Sequence, residues 1–137
     1  MALARVRFEW KGDAFARDLE KSIDRGLTAA AARAADEAVR SLGSSHGGVR
    51  SKPGHPPHTQ STTLANSGTY VEAKRGVAYY GFSVFYAPFL ELGTRMMAAR
   101  PFIRRVIEVP AIRNRIAKTF YRTTEKDLLR RGRAAGR

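Results

Sequence analysis

Cysteine is absent from the 137-residue chain, tryptophan occurs once, and acidic side chains are few, 12 against 25 lysines and arginines. Each shortage excludes something. Without thiols there is no disulfide scaffold, no cysteine-ligated zinc or iron–sulfur site and no thiol nucleophile, and the redox compartment is left open. No apolar run approaches the ~20 residues that cross a bilayer. The opening Met1-Ala-Leu-Ala-Arg-Val-Arg-Phe-Glu-Trp alternates charge with apolar residues where a signal peptide holds an apolar core. The expectation is a soluble, unexported chain. A length of 137 residues allows one domain with a real core and excludes a second full one.

The shortage of acid leaves a formal charge of +13 with histidine neutral. Such an excess speaks to partners, namely nucleic acid, acidic protein surfaces or anionic lipid, and not to fold. It is unevenly placed. Residues 1–42 carry eight basic and seven acidic side chains, residues 43–99 five and two, and residues 100–137 twelve and three. The net charge therefore belongs mostly to the last quarter of the chain.

Periodicity supplies the elements. Val6, Phe8 and Trp10 alternate with Arg5, Arg7 and Glu9, the pattern of a half-buried strand. After Gly12-Asp13, the residues Phe15, Leu19, Ile23, Leu27, Ala30, Ala34, Ala38 and Leu42 recur every three to four positions, which predicts a long amphipathic helix ending near Gly43. Its alanine-rich second half predicts close packing against another helix, within the chain or between subunits. Residues 43–61 lose all periodicity and hold four glycines and three prolines, the composition of a long functional loop or arm. Tyr70–Lys74 and Val77–Phe85 read as strands joined at Arg75-Gly76. From Pro101 a helical period returns, which Pro110 either kinks within one helix or splits into segments 101–109 and 110–130. The fold class expected is α+β: a small antiparallel sheet of about four strands packed by a long N-terminal and a C-terminal helix, one domain over 1–130, with 131–137 as a basic flexible tail.

Candidate chemistry is sparse. His46, His55 and His58 crowd one loop, but no cysteine or carboxylate accompanies them and Pro56-Pro57 extends the backbone between the last two, so no metal site is expected. Ser44, Ser45 and Ser61 lack a carboxylate in the same loop, Glu72 and Glu91 are isolated, and Gly47-Gly48 and Gly54 do not open a phosphate loop. No catalytic residue, cofactor or metal is assigned, and the chain is read as a non-enzyme. The better candidate is the C-terminal segment, where Arg113, Arg115, Lys118, Arg122, Lys126, Arg130 and Arg131 form a positive stripe for phosphates or for acidic protein. No helix-turn-helix spacing, zinc finger or aromatic RNA-binding signature accompanies it, so sequence reading is not expected.

One stretch carries a family resemblance. Tyr86-Ala-Pro-Phe-Leu-Glu-Leu-Gly-Thr, a short spacer and Ala99-Arg-Pro-Phe-Ile match at Tyr86, Ala87, Glu91, Gly93, Thr94, Ala99, Arg100, Pro101 and Phe102. Together with the upstream Pro53-Gly-His-Pro-Pro-His and Leu64-Ala-Asn-Ser, they resemble the neck and tail-completion (head-tail joining, morphogenesis) proteins of long-tailed bacteriophages and prophages. The departure is Ser61-Thr62-Thr63, where that family commonly carries Thr-Gly before the leucine.

The resemblance implies a virion protein without a reaction, in a ring, most readily hexameric, at the head-to-tail joint. It would contact head-closure or connector proteins, tail-terminator or tail-tube proteins and, without sequence preference, the passing DNA. Its place would be the virion neck, and the host cytoplasm during assembly. Interface or scaffold candidates are Tyr86, Phe89, Glu91, Gly93, Thr94, Arg100, Pro101 and Phe102, with Glu91 and Arg100 read as a charged pair pinning a strand-to-helix crossover. Loop-arm candidates are Pro53, Gly54, His55, Pro56, Pro57 and His58. A tail terminator or a sequence-nonspecific nucleic-acid-binding protein is the alternative.

Overall fold

The computed structural model describes residues 12–44, 50–59 and 62–135. The strand read over 5–10 and His46 lie outside them. Helix α1 (Gly12–Ser41) is followed by β1 (Gly43–Ser44), β2 (His58–Thr59), α2 (Thr62–Asn66), β3 (Gly68–Lys74), β4 (Val77–Phe82), α3 (Ala87–Leu92), α4 (Arg105–Glu108) and α5 (Pro110–Ala135). The class is α+β, with a long helix at each end and a small antiparallel sheet between them.

That sheet has two strands, where about four were expected. β3 and β4 form a hairpin in which Tyr70 faces Tyr80 and Val71 faces Tyr79, and the only other ladder among the described residues is the parallel two-residue pair β1–β2. The hairpin turns at Arg75-Gly76, both at positive φ. An isolated hairpin is marginal in water, and this one is held along α1. The Asp24 carboxylate accepts from the Gly76 and Arg75 N–H groups (2.8 and 3.2 Å), and the Thr28 hydroxyl accepts from the Ala73 N–H (2.9 Å). At the other end Gly68 sits against Val39, where a Cβ would come within 2.6 Å of the valine methyl.

Helices α1 and α5 pack together along much of their length. The face α1 buries is Ser22, Gly26, Ala30, Ala34 and Ala38, a ladder of small side chains four apart, flanked by Ala31 and Ala35. Phe15, on the stripe that periodicity picked out, is instead exposed. Small residues win because they let the partner backbone come close: a Cβ on Gly26 would overlap the Thr124 hydroxyl and lie 3.0 Å from the Phe120 ring. Gly26→Ala is therefore expected to destabilise by about 1–2 kcal/mol, the overlap outweighing the ~1 kcal/mol that alanine gains in helix propensity. Adding Thr124→Ala, which removes the nearest atom, should recover part of the loss in urea or thermal unfolding.

Pro110 splits the C-terminal helical region as its missing N–H requires, α4 ending at Glu108 and α5 starting at Pro110. α5 runs on through Ala135, so residues 131–135 are helix and not the flexible tail expected. Arg131 anchors that last turn, reaching Asp127 one turn back and Asp18 on α1. Two buried clusters meet at Phe82. One joins Ala34, Ala38 and Val106 with Tyr80, Ile112 and Ile116; the other joins Leu64, Ala87 and Phe102 with Leu42, Val84, Tyr86, Leu90 and Ile103. The Phe82 and Phe102 rings meet edge to face, centroids 4.8 Å apart.

Candidate functional site

The stretch from Tyr86 to Phe102 is a compact bend, and its first part is a helix where a strand was expected. Residues Ala87–Leu92 form α3, with Pro88 in its first turn and Gly93 closing it through an N–H donated to the Phe89 carbonyl (2.9 Å). Gly93 adopts φ 78° and ψ 177°, a region open essentially to glycine alone. A Cβ there would also lie 2.7 Å from the Ala99 nitrogen. Thr94 and Met97 then exchange backbone hydrogen bonds across a tight turn (2.8 and 3.2 Å), and the Arg100 N–H returns to the Leu90 carbonyl (2.8 Å).

Glu91 ties the bend together, though not with Arg100. Its buried carboxylate accepts three backbone N–H groups, from Phe102 and Ile103 at Oε2 (2.8 and 2.9 Å) and from Arg104 at Oε1 (3.0 Å). A carboxylate satisfies donors at the start of a helical turn better than a neutral group does, which is why the chain can reverse here without a strand partner. Among the described residues the cation that pairs with Glu91 is Arg104, 3.8 Å away and half-exposed, and the buried Arg100 Nε has no hydrogen-bond partner. Close by, the Tyr80 hydroxyl donates to the Ile103 carbonyl (3.1 Å), and burial first, then the Glu91 charge, raises its pKa. Of the interface candidates, Phe102 is core, Tyr86 and Pro101 are half-buried, and Phe89 and Thr94 are exposed.

The loop candidates rest on the domain. Pro53, Gly54 and His55 are exposed and Pro57 is buried. The Gly54 N–H donates to the Ala99 carbonyl (3.0 Å) and the Gly43 N–H to the Pro57 carbonyl (3.1 Å). The His58 ring lies over Gly43, leaving no room for a Cβ there. The described part of the predicted arm is thus tied at two points, one of them to the Glu91 bend.

The positive stripe divides. Arg115 does not face outward as a free charge: its guanidinium grips Glu37 of α1 with two hydrogen bonds (3.0 and 2.9 Å), and Arg33 adds a contact at 2.8 Å. Glu37 is buried, and its pKa is lowered chiefly by the Arg115 hydrogen bond, with the charges of Arg115, Arg33 and Arg40 assisting against desolvation. Arg131 is likewise committed. Its Nε donates to Asp127 (2.6 Å), a buried carboxylate that also accepts from the Ser22 hydroxyl (2.9 Å) and from Arg25. Neither network was expected from sequence. What remains open to solvent on α5 is Arg113, Lys118, Arg122, Lys126, Arg130 and Arg133. Lys118, Arg122 and Lys126 stand one turn apart on one side, about 6 Å per step.

Among the described residues no group of three or more histidines and carboxylates is placed to hold a metal ion, and no helix is long and apolar enough to cross a membrane. Comparison with protein-family models, with curated proteins and with solved structures finds no match to this chain.

Proposed function

We propose that this chain is a structural protein of a phage particle, one subunit of a ring at the head-to-tail joint that links head-closure and tail proteins and lets DNA pass. The observation that carries the reading is the bend of residues 86–104. The residues on which the neck-protein resemblance rests are used there to hold a rigid turn, with Glu91 on three backbone donors and Gly93 in a glycine-only conformation. A motif spent on shape, in a chain whose α5 carries a row of solvent-facing cations, fits an assembly component better than a catalyst. Disrupting the gene in an inducible particle-forming prophage that carries it should leave DNA-filled heads and finished tails unjoined in electron micrographs. Joined, infectious particles would refute the reading.

The exposed row on α5 gives DNA its place in this account. Lys118, Arg122, Lys126, Arg130 and Arg133 offer five phosphate contacts, so binding to duplex DNA of any sequence should weaken with salt at a slope of about −4.5 on logarithmic axes. Replacing Lys118, Arg122 and Lys126 by alanine should reduce that slope by about 3, measured by fluorescence anisotropy across salt concentrations. A freestanding nucleic-acid-binding protein is the second reading, favoured by the same row. Salt-dependent DNA binding with normal head-to-tail joining in the disrupted prophage would select it.

A further inference from the structure

Two apolar surfaces have no cover among the described residues. The first is a ridge along the bend, where Phe85 is 83% exposed, Phe89 52%, Leu92 73% and Met96 92%. The second is the outer side of the hairpin, where Val71 (57%), Val77 (49%) and Tyr79 (65%) face away from the Tyr80 and Phe82 side chains that enter the core. We propose that these surfaces bind each other between two copies of the chain, the ridge of one copy seating on the hairpin face of the next.

Size and rigidity support this occupant. The four ridge residues together expose the equivalent of about three whole side chains, roughly 500 Å², and the hairpin residues not quite two, roughly 300 Å². A standard interface hides ~800 Å² per partner, a little over half of it apolar, so each surface is on the scale of one side of such a core. Neither can cover the other within one chain, because Glu91 and Gly93 fix the ridge while Asp24 and Thr28 hold the hairpin to α1. Arg95 borders the ridge and Lys74, opposite Val77, borders the hairpin face, so the contact rests on apolar area and not on charge pairing. The surfaces differ, so the contact is heterologous: it propagates from copy to copy and closes into a ring if the rotation allows. The contact needs only a second copy of this chain and does not depend on the phage reading.

Sedimentation velocity tests it, at concentrations up to about 100 μM, where an interface of this size is expected to be populated. The wild-type chain should exceed monomer mass. Leu92→Asp with Met96→Asp should be monomeric, as should Val77→Asp with Tyr79→Asp, each with unchanged circular dichroism because the altered side chains are exposed. An equimolar mixture of the two variants should form a heterodimer and nothing larger, since one intact ridge then meets one intact face. A monomeric wild type, a variant of wild-type mass, or a mixture that stays monomeric would each overturn the contact while leaving the neck reading to its own test.

Discussion

Replacing Glu91 by alanine is expected to lower the stability of the domain by about 3–4 kcal/mol, with a fall in melting temperature of roughly 10 °C for a chain of this size. The reason is the number of donors that depend on one side chain. The N–H groups of Phe102, Ile103 and Arg104 all point at this carboxylate, at 2.8, 2.9 and 3.0 Å, and Phe102 is fully buried. A hydrogen bond to a charged acceptor contributes about 1.5–3 kcal/mol, and the three share one group, so the sum falls short of three full bonds. Glu91→Gln keeps one carbonyl oxygen and should lose about half as much. Arg104→Ala is the control: its guanidinium is half-exposed and 3.8 Å from the carboxylate, so its removal should cost no more than about 0.5 kcal/mol. Urea unfolding of the three variants separates the cases. A Glu91→Ala protein within about 1 kcal/mol of wild type would mean that the bend is held by its apolar contacts instead.

The second large effect is expected at Asp127, where helix α5 is fastened to α1. Asp127→Asn should cost about 3 kcal/mol near neutral pH, because it leaves Arg25, Arg131 and Ser22 grouped around a neutral amide. The pH dependence follows from the carboxyl itself, which is held down to about 2, first by the Arg131 hydrogen bond and then by those from Ser22 and Arg25, against the opposing effect of burial. A carboxyl whose folded pKa lies below its unfolded value stabilises the fold in its ionised form. Its contribution is complete above the ordinary carboxylate range and is lost as pH falls from about 4 toward about 2. The wild type should therefore lose stability through that window more steeply than Asp127→Asn, and the two denaturation midpoints should converge near its acid end. Parallel curves would show that the Asp127 carboxyl titrates alike in the folded and unfolded chain, and that the surrounding cations do not hold it down.

Both effects lie where sequence reading is weakest. Periodicity located α1 to within about two residues at each end, Arg75-Gly76 marked the hairpin turn, and Pro110 marked a kink or break, because each depends on neighbours along the chain. The strand expected over 86–94 was carried over from the family resemblance, and six residues are too few to show a helical period against it; the reversal there is held by Glu91, eleven or more residues from the donors it accepts. On α1 the predicted stripe already held Ala30, Ala34 and Ala38, with close helix packing expected of its alanine-rich half, but toward the N-terminus it named Phe15, Leu19 and Ile23 where Ser22 and Gly26 are the buried residues. The face that packs on α5 is the ladder Ser22, Gly26, Ala30, Ala34 and Ala38. The two members that the stripe lacked, Ser22 and Gly26, continue the same four-residue spacing and are selected by close helix approach and not by hydrophobicity. No local pattern distinguishes Arg115 and Arg131, which meet carboxylates on α1, from Lys118 and Arg122, which meet none. Their partners lie 78 and 113 residues away.

The charge is thereby narrowed a second time. An excess spread over the whole chain first resolved into its last quarter, and within that quarter the cations split between those that clamp α5 to α1 and a solvent-facing row left to meet a partner. The most direct test of the account is a symmetry-averaged electron cryomicroscopy reconstruction of the head-to-tail joint in particles from a prophage encoding this chain. The account predicts the α1–α5 pair and its hairpin in a ring between head and tail, with Lys118, Arg122 and Lys126 turned toward the DNA channel. A joint built without this chain would contradict it.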